Sequence, residues 1–99
     1  MDYISSSKLY GSIFFQCQSV NKKLPAHVIL AINRSGVVVV NVESKDILVT
    51  YEMIHIKSWG FGTLSFILVI GNGEKIFFKT TEGVQMHRYM LAYAENSTL

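Results

Sequence analysis

The length and composition of the chain predict a single small domain. Its 99 residues suffice for one hydrophobic core but not for two. The hydrophobic share of 49% is high and the charged share of 16% is low, because roughly 25% charged is typical of soluble domains. Two interpretations stay open: a compact β core, or apolar surface that contacts a neighbouring lobe or partner. The net charge of +2 is too small to indicate nucleic acid as a partner.

The cellular compartment follows from the hydropathy and from the cysteine content. No apolar run approaches the roughly 18 residues that span a bilayer, and the first residues lack the charged and apolar regions of a signal peptide. The one cysteine, Cys17, cannot form an internal disulfide and fits a reducing compartment. We therefore expect a cytoplasmic domain or a fragment of one.

Alternation of apolar and polar residues predicts seven short strands separated by turns. In the first strand Ile13, Phe15 and Cys17 share one face, as period two requires. Gly36 can adopt the positive φ of a tight connection. In the fifth strand, which ends before Gly60, Ile54 shares a face with Ile56. The predicted strands are 9–18, 26–33, 37–40, 47–51, 53–59, 64–70 and 75–79.

A single helix is predicted from Thr81 to about Glu95, with Thr81 as its N-cap. Four large apolar or aromatic residues fall at i, i+3, i+4 and i+7 and form one stripe: Met86, Tyr89, Met90 and Tyr93. The helix must bury this stripe against the sheet. The predicted fold class is therefore mainly β with one C-terminal α-helix, as a seven-stranded antiparallel sandwich or barrel capped by the helix.

The residues that could carry chemistry do not form a recognisable catalytic or metal-binding pattern. His27, His55 and His87 are widely separated and lack partners at ligand spacing. Cys17 has no basic neighbour in sequence and fits a small core residue better than a nucleophile. The carboxylates fall mostly in predicted loops. We therefore expect no enzymatic activity, no metal and no cofactor.

Several stretches resemble the third, carboxy-terminal lobe of FERM domains, which has a PH/PTB-like fold. They are 9–15 (LYGSIFF), 30–37 (LAINRSGV), 54–60 (IHIKSWG) and 79–83 (KTTEG), in the family's order. The similarity covers roughly residues 9–95. It is strongest to the tail FERM domains of unconventional myosins of the myosin VII type, with the talin third lobe a near second. It implies a domain at 9–95, preceded by a linker at 1–8 and followed by a tail at 96–99.

The resemblance also implies a non-catalytic adaptor at the actin-rich cell cortex or its protrusions. In this family a partner peptide, such as a cargo receptor tail, often adds as a strand to the fifth strand and packs against the final helix. The corresponding edge here is Ile56, Lys57, Ser58, Trp59 and Gly60, with Met86, Tyr89, Met90 and Tyr93 as the helix wall. An exposed edge supports this mode because a peptide satisfies its unpaired backbone groups. The alternative that the helix stripe is core stays open.

Three other partners remain candidates. Lys8, Lys22 and Lys23 could attract anionic phospholipid, with ordinary solvated charge as the simpler interpretation. The chain could instead be a structural lobe that packs against sibling FERM lobes. If Leu99 is the natural terminus, the last residues match a common PDZ-ligand pattern at Ser97, Thr98 and Leu99.

Overall fold

The computed structural model describes residues 12–20 and 22–97, with side chains described as far as Ala94. Leu9–Gly11 of the predicted first strand, and the predicted linker at 1–8, lie outside these residues. The elements follow in chain order: β1 Ile13–Ser19, β2 His27–Asn33, β3 Gly36–Asn41, β4 Ile47–Glu52, a 3₁₀ turn Met53–His55, β5 Ile56–Phe61, β6 Ser65–Ile70, β7 Lys75–Lys79 and α1 Gly83–Ser97. The predicted fold class is confirmed.

All seven strands lie in one antiparallel sheet in the order β4-β3-β2-β1-β7-β6-β5. The two halves of the sheet meet where β1 pairs with β7, through Gln18 with Lys79 and Ser19 with Phe78 only. This junction is short, whereas β1 pairs with β2 over six residue pairs. β4 and β5 are consequently the two edge strands of the described sheet.

In each half of the sheet every second side chain points toward α1, and these side chains form the core. Phe15 and Leu30 from the first half meet Phe66 and Phe78 from the second, and Met86 extends from the helix into the same cluster. A second, smaller cluster of Ala31, Val38 and Val40 is buried on the opposite face of β2 and β3. The four consecutive valines of β3 fit this arrangement because the strand is buried on both faces.

The fifth predicted strand was wrong at both ends. Residues Met53–His55 form a 3₁₀ turn, which carries the chain from one edge of the sheet toward the other. Its first amide donates to the Ser35 carbonyl at 2.7 Å. Ile54 is 83% exposed while Ile56 is 9% exposed, so the two residues do not share a face. The strand also continues through Gly60, which pairs with Ile67.

The predicted N-cap of the helix was also wrong. The helix begins at Gly83, and its first backbone bond runs from the Met86 amide to the Glu82 carbonyl at 3.0 Å. The preceding turn is held by Thr80, whose hydroxyl accepts a hydrogen bond from the Glu82 amide at 3.0 Å. Thr80 is buried, whereas Thr81 is exposed. Neither threonine caps the helix: the Thr80 hydroxyl holds only the turn that precedes it, and Glu82 is the residue that flanks its first turn.

Cys17 is the buried core residue that its position in β1 predicts, and burial gives its thiol a testable pH dependence. Burial, reinforced by the charge of Glu82 and opposed by a hydrogen bond with Thr80, raises the thiol pKa from 9.0 to about 11. Between pH 9 and pH 11 the unfolded thiol ionises while the folded thiol keeps its proton. The unfolded state then binds fewer protons, so the free energy of unfolding falls as pH rises through this window.

We expect this ionisation to lower the free energy of unfolding by about 3 kcal/mol at most by pH 11, since one pKa unit corresponds to about 1.4 kcal/mol. Urea unfolding at pH 8 to 11 measures the loss. Cys17→Ala is the control, because it lacks the thiol but keeps every other group that titrates in this range. Parallel pH profiles for the two proteins would contradict the prediction.

Candidate functional site

β5 forms one edge of the sheet, and within the described chain it pairs with β6 alone. The pairing register shifts between Ile56 and Ser58, so Lys57 lies in a bulge. Ile56 is buried in the core, while Lys57 and Ser58 are exposed. After the bulge the alternation of the strand directs Trp59 and Phe61 toward the helix side of the sheet. The outer edge of β5 therefore presents backbone groups that a further strand can pair with.

Trp59 connects this edge to the helix. Its indole Nε1–H donates to Nδ1 of His87 at 3.0 Å, and the two rings lie 6.4 Å apart. The His87 imidazole also stacks on Phe61, with ring centroids 4.5 Å apart and planes 29° apart. The indole N–H can only donate, so Nδ1 of His87 is the acceptor in this bond. His87 is consequently held between two aromatic residues of β5.

A glycine allows the start of α1 to approach β5 and β6 closely. A Cβ atom placed on Gly83 would lie 2.7 Å from the Ser65 carbonyl oxygen and 3.1 Å from Cβ of Phe61. The cost that glycine imposes within a helix, about 1 kcal/mol relative to Ala, is therefore offset here by close packing. This contact fixes the distance between the first turn of α1 and the edge strand.

Exposed apolar side chains follow α1 on the side of His87. Val84 and Leu91 lie three residues before and four residues after His87, so they share its face of the helix. Val84 is 48% exposed, Leu91 40% and Phe61 44%. We define the β5–α1 seam as the outer edge of β5 together with these side chains: Trp59, Phe61, Val84, His87 and Leu91. It combines an edge strand with an apolar strip.

The predicted helix wall lies elsewhere on α1. Met86 and Met90 are fully buried and therefore belong to the core, the alternative that the sequence left open. Tyr89 packs near Phe15 of β1, with ring centroids 6.1 Å apart. Tyr89 follows His87 by two residues, about 200° around the helix, and so faces away from β5. Tyr93 is half-buried against the core. We replace this predicted wall with Val84, His87 and Leu91.

The missed residues do carry a sequence signal. Val84, His87 and Leu91 are spaced i, i+3 and i+7, which defines a second stripe beside the core stripe. This stripe gives a weaker signal than the core stripe because its members are less uniformly apolar. Along 56–61 and 83–94 the ionisable residues are Lys57, His87, Arg88 and two tyrosines, with no Asp or Glu. The seam is therefore apolar with a basic margin.

The other predicted sites are only partly described. Lys22 and Lys23 are exposed in the connection between β1 and β2, whereas Lys8 lies outside the described residues. Ser97 is the last residue of α1, and Thr98 and Leu99 are not described. The lipid-binding and PDZ-ligand assignments stay predictions.

The arrangement offers no metal site and no membrane span in the described part of the chain. Within residues 12–20 and 22–97, no three His, Cys, Asp or Glu side chains are grouped so that they could hold a metal ion. Over the same residues, no helix has both the length and the apolarity needed to cross a membrane.

Comparison with known proteins places this geometry in context. A family model described as "PTB domain (IRS-1 type)" matches residues 14–97. The chain is 34% identical over 88 residues to myosin-VIIa of Drosophila melanogaster, covering 85% of this chain and 4% of that protein. It is 28% identical over 98 residues to talin of Oscarella pearsei, covering 93% of this chain and 4% of that protein.

A solved structure gives the same relationship in three dimensions. The human myosin 7b C-terminal MyTH4-FERM domain, solved in complex with the harmonin-a PDZ3 domain, superposes with a TM-score of 0.84 at 27% identity. The match covers 95% of this chain and 19% of that one. The chain thus spans a small part of each protein that it resembles.

Proposed function

The chain belongs to the family of PTB domains of the IRS-1 type, and from that premise we propose that it is a non-catalytic adaptor lobe that binds a partner peptide along the β5–α1 seam. Its similarity to FERM lobes of myosin VII tails and to talin was correctly predicted from the sequence. The parent would be a cytoskeletal motor tail or an actin–membrane linker that acts at the cell cortex.

The edge position of β5 beside α1 is the observation that carries this proposal. A peptide added to β5 would satisfy the backbone groups of that edge, and its alternate side chains would contact the apolar strip. β4 is also an edge strand, with exposed Ile47 and Leu48. However, α1 packs mainly against β2, β5 and β6. The β5 edge is therefore the one with a helix wall beside it.

Trp59 supplies the anchor that such a seam requires. It is half-buried, packs against the core and is fixed by His87. A rigid, partly exposed Trp loses little conformational entropy when a partner covers it, and truncation of an interface Trp commonly costs about 2 kcal/mol or more. No arginine cluster borders the seam, so the proposed ligand is an unphosphorylated peptide with apolar side chains.

The test begins with peptides selected on the intact chain from a library of random 12-residue sequences displayed on yeast cells. A selected peptide is then synthesised with a fluorescent label, and its affinity is measured by anisotropy. We expect Trp59→Ala to weaken binding by about 2 kcal/mol, or roughly thirtyfold. We expect Leu91→Glu to weaken it at least as strongly, because it places a charge in the apolar strip.

Leu48→Glu is the matched control, since Leu48 is 38% exposed and lies on the other edge strand. It should leave the affinity unchanged. Circular dichroism establishes that each variant is folded, which matters most for the core-packed Trp59. Loss of binding in Leu48→Glu but not in Leu91→Glu would move the site to β4 and overturn the proposal.

The structural-lobe alternative has a specific observation in its favour. Ile54, Leu64 and Val20 are 83%, 64% and 53% exposed, and none of them belongs to the seam. Apolar surface of this kind is typical of contacts with a neighbouring lobe. If no peptide is selected and the chain self-associates in sedimentation velocity, the structural role is supported in place of peptide binding.

A further inference from the structure

Of the five side chains that define the β5–α1 seam, His87 is the one whose residue type titrates near neutral pH. It is half-buried between two aromatic residues of β5. The indole N–H of Trp59 donates to its Nδ1 at 3.0 Å, and its ring stacks on Phe61 with centroids 4.5 Å apart. These two contacts depend differently on the charge of the imidazole.

The hydrogen bond from Trp59 requires an unprotonated Nδ1. An indole N–H can only donate, and an imidazolium carries a hydrogen on both of its ring nitrogens. Protonation of His87 would therefore place two donors 3.0 Å apart, so the imidazole must turn or Trp59 must move. The stack on Phe61 has no such requirement, because an aromatic face also attracts a cation. Protonation thus breaks the contact with Trp59 and leaves the contact with Phe61.

The charged residues around His87 do not stabilise an imidazolium. The strands packed against α1 are β2, β5 and β6. β5 carries Lys57, β6 carries no ionisable residue, and β2 carries only His27, which is exposed at its start. On α1 itself Arg88 follows His87, and residues 83–94 contain no Asp or Glu. Glu82 lies five residues before His87, outside the spacing of three or four at which helix side chains meet.

A peptide that lies along the seam would cover His87 and remove it from water. Burial of a charge without a partner is unfavourable, so such a peptide favours the neutral imidazole over the imidazolium. We propose that His87 is a pH-dependent switch: neutral His87 holds Trp59 in place for a partner peptide, and protonation of His87 releases Trp59 and weakens peptide binding. The effect on the peptide rests on the proposed function, whereas the effect on Trp59 does not.

The first test follows Trp59 without any peptide. Trp59 is the only tryptophan of the chain, so its indole N–H gives one NMR resonance. Histidine side chains ordinarily gain a proton as the pH falls through about 6.5. Between pH 7.5 and pH 5.5 the indole resonance should therefore shift toward that of an indole in water, while circular dichroism establishes that the chain stays folded.

Two variants assign this shift to His87. His87→Asn should abolish it, because the Asn side-chain oxygen can accept the bond at every pH used. The double variant of His27→Asn and His55→Asn is the matched control, since it keeps His87 as its only histidine. It should show the full shift. An indole resonance that does not respond to pH, or that responds equally in His87→Asn, would overturn the proposal.

The second test measures the affinity of a labelled peptide selected at pH 7.5, with no ionisable side chain of its own. We expect about tenfold weaker binding at pH 5.5, one pH unit below the ordinary range of histidine. The affinity of His87→Asn should not depend on pH. Constant affinity in a chain whose indole resonance titrates would overturn the link to the peptide. If no peptide is selected, the proposed function fails, and the indole titration still decides whether His87 controls Trp59.

Discussion

Replacement of Gly36 by Ala is expected to lower the free energy of unfolding by about 4 kcal/mol or more, because it combines backbone strain with a steric clash. Gly36 begins β3 with φ of 142°, where side chains are rarely accommodated, and such backbone strain costs on the order of 1–3 kcal/mol. An added Cβ would lie 2.1 Å from the Tyr51 carbonyl oxygen and 2.8 Å from the Met53 amide nitrogen. Both are backbone atoms, so β4 and the 3₁₀ turn would have to move.

The surroundings of Gly36 leave little room for such movement. Asn33 is buried, and its side-chain oxygen accepts hydrogen bonds from the amides of Ser35 and Gly36 at 2.8 and 3.2 Å. Its amide nitrogen donates to the Ser12 hydroxyl at 2.9 Å. The hairpin is thus fixed from both sides. A stability near the lower end of the usual 5–15 kcal/mol for domains would be almost abolished.

Two other glycines allow the effect of backbone strain to be measured apart from the effect of the steric clash. Gly73 has φ of 94° but open space around the position of its Cβ, so Gly73→Ala carries strain without a clash. Gly71 has neither positive φ nor a close contact, its nearest neighbour being the His55 carbonyl oxygen at 3.6 Å. Urea unfolding should give the order Gly36→Ala, then Gly73→Ala, then Gly71→Ala. A loss for Gly36→Ala no larger than that for Gly73→Ala would show that the backbone yields easily.

The sequence predicted the strands well where one physical signal dominated. The alternation in β1 correctly separated buried Phe15 and Cys17 from exposed Phe14 and Gln16, and the positive φ of Gly36 followed from its place in a tight connection. The 3₁₀ turn at Met53–His55 could not be inferred in this way. Ile54 and Ile56 have the spacing of a strand face, but the chain must there pass between the two edges of the sheet. That requirement comes from the order of the strands in the sheet, and the local sequence pattern does not reveal it.

The candidate site was predicted in part for a similar reason. The edge at Ile56–Gly60 was identified through family resemblance, since periodicity alone does not reveal which strand ends a sheet. The helix wall was assigned to the most apolar stripe, yet a helix that covers a core must bury that stripe first. In the proposed mode the partner would contact the residues beside β5, which are the exposed Val84 and Leu91 and the half-buried His87. If the proposed site is correct, burial and recognition use adjacent faces of the same helix.

The division of α1 into a buried stripe and an exposed stripe predicts a second large effect on stability. Met86→Ala is expected to lower the free energy of unfolding by about 2–5 kcal/mol, the range for truncating a buried Met, because Met86 is fully buried between the two halves of the sheet. Val84→Ala should change stability by at most about 0.5 kcal/mol, as is usual for exposed positions. Thermal or urea unfolding of both variants measures the contrast.

The affinity for a seam-binding peptide should show the opposite order. Val84→Ala removes an apolar contact from the strip, whereas Met86→Ala removes a side chain that no partner can reach. After correction for the folded fraction, Val84→Ala should therefore weaken peptide binding more than Met86→Ala does. A folded Met86→Ala protein with the greater loss of affinity would mean that the helix shifts with its core, and the seam would then depend on the packing beneath it. The opposite orders in stability and affinity are what separate a core stripe from a binding stripe on one helix.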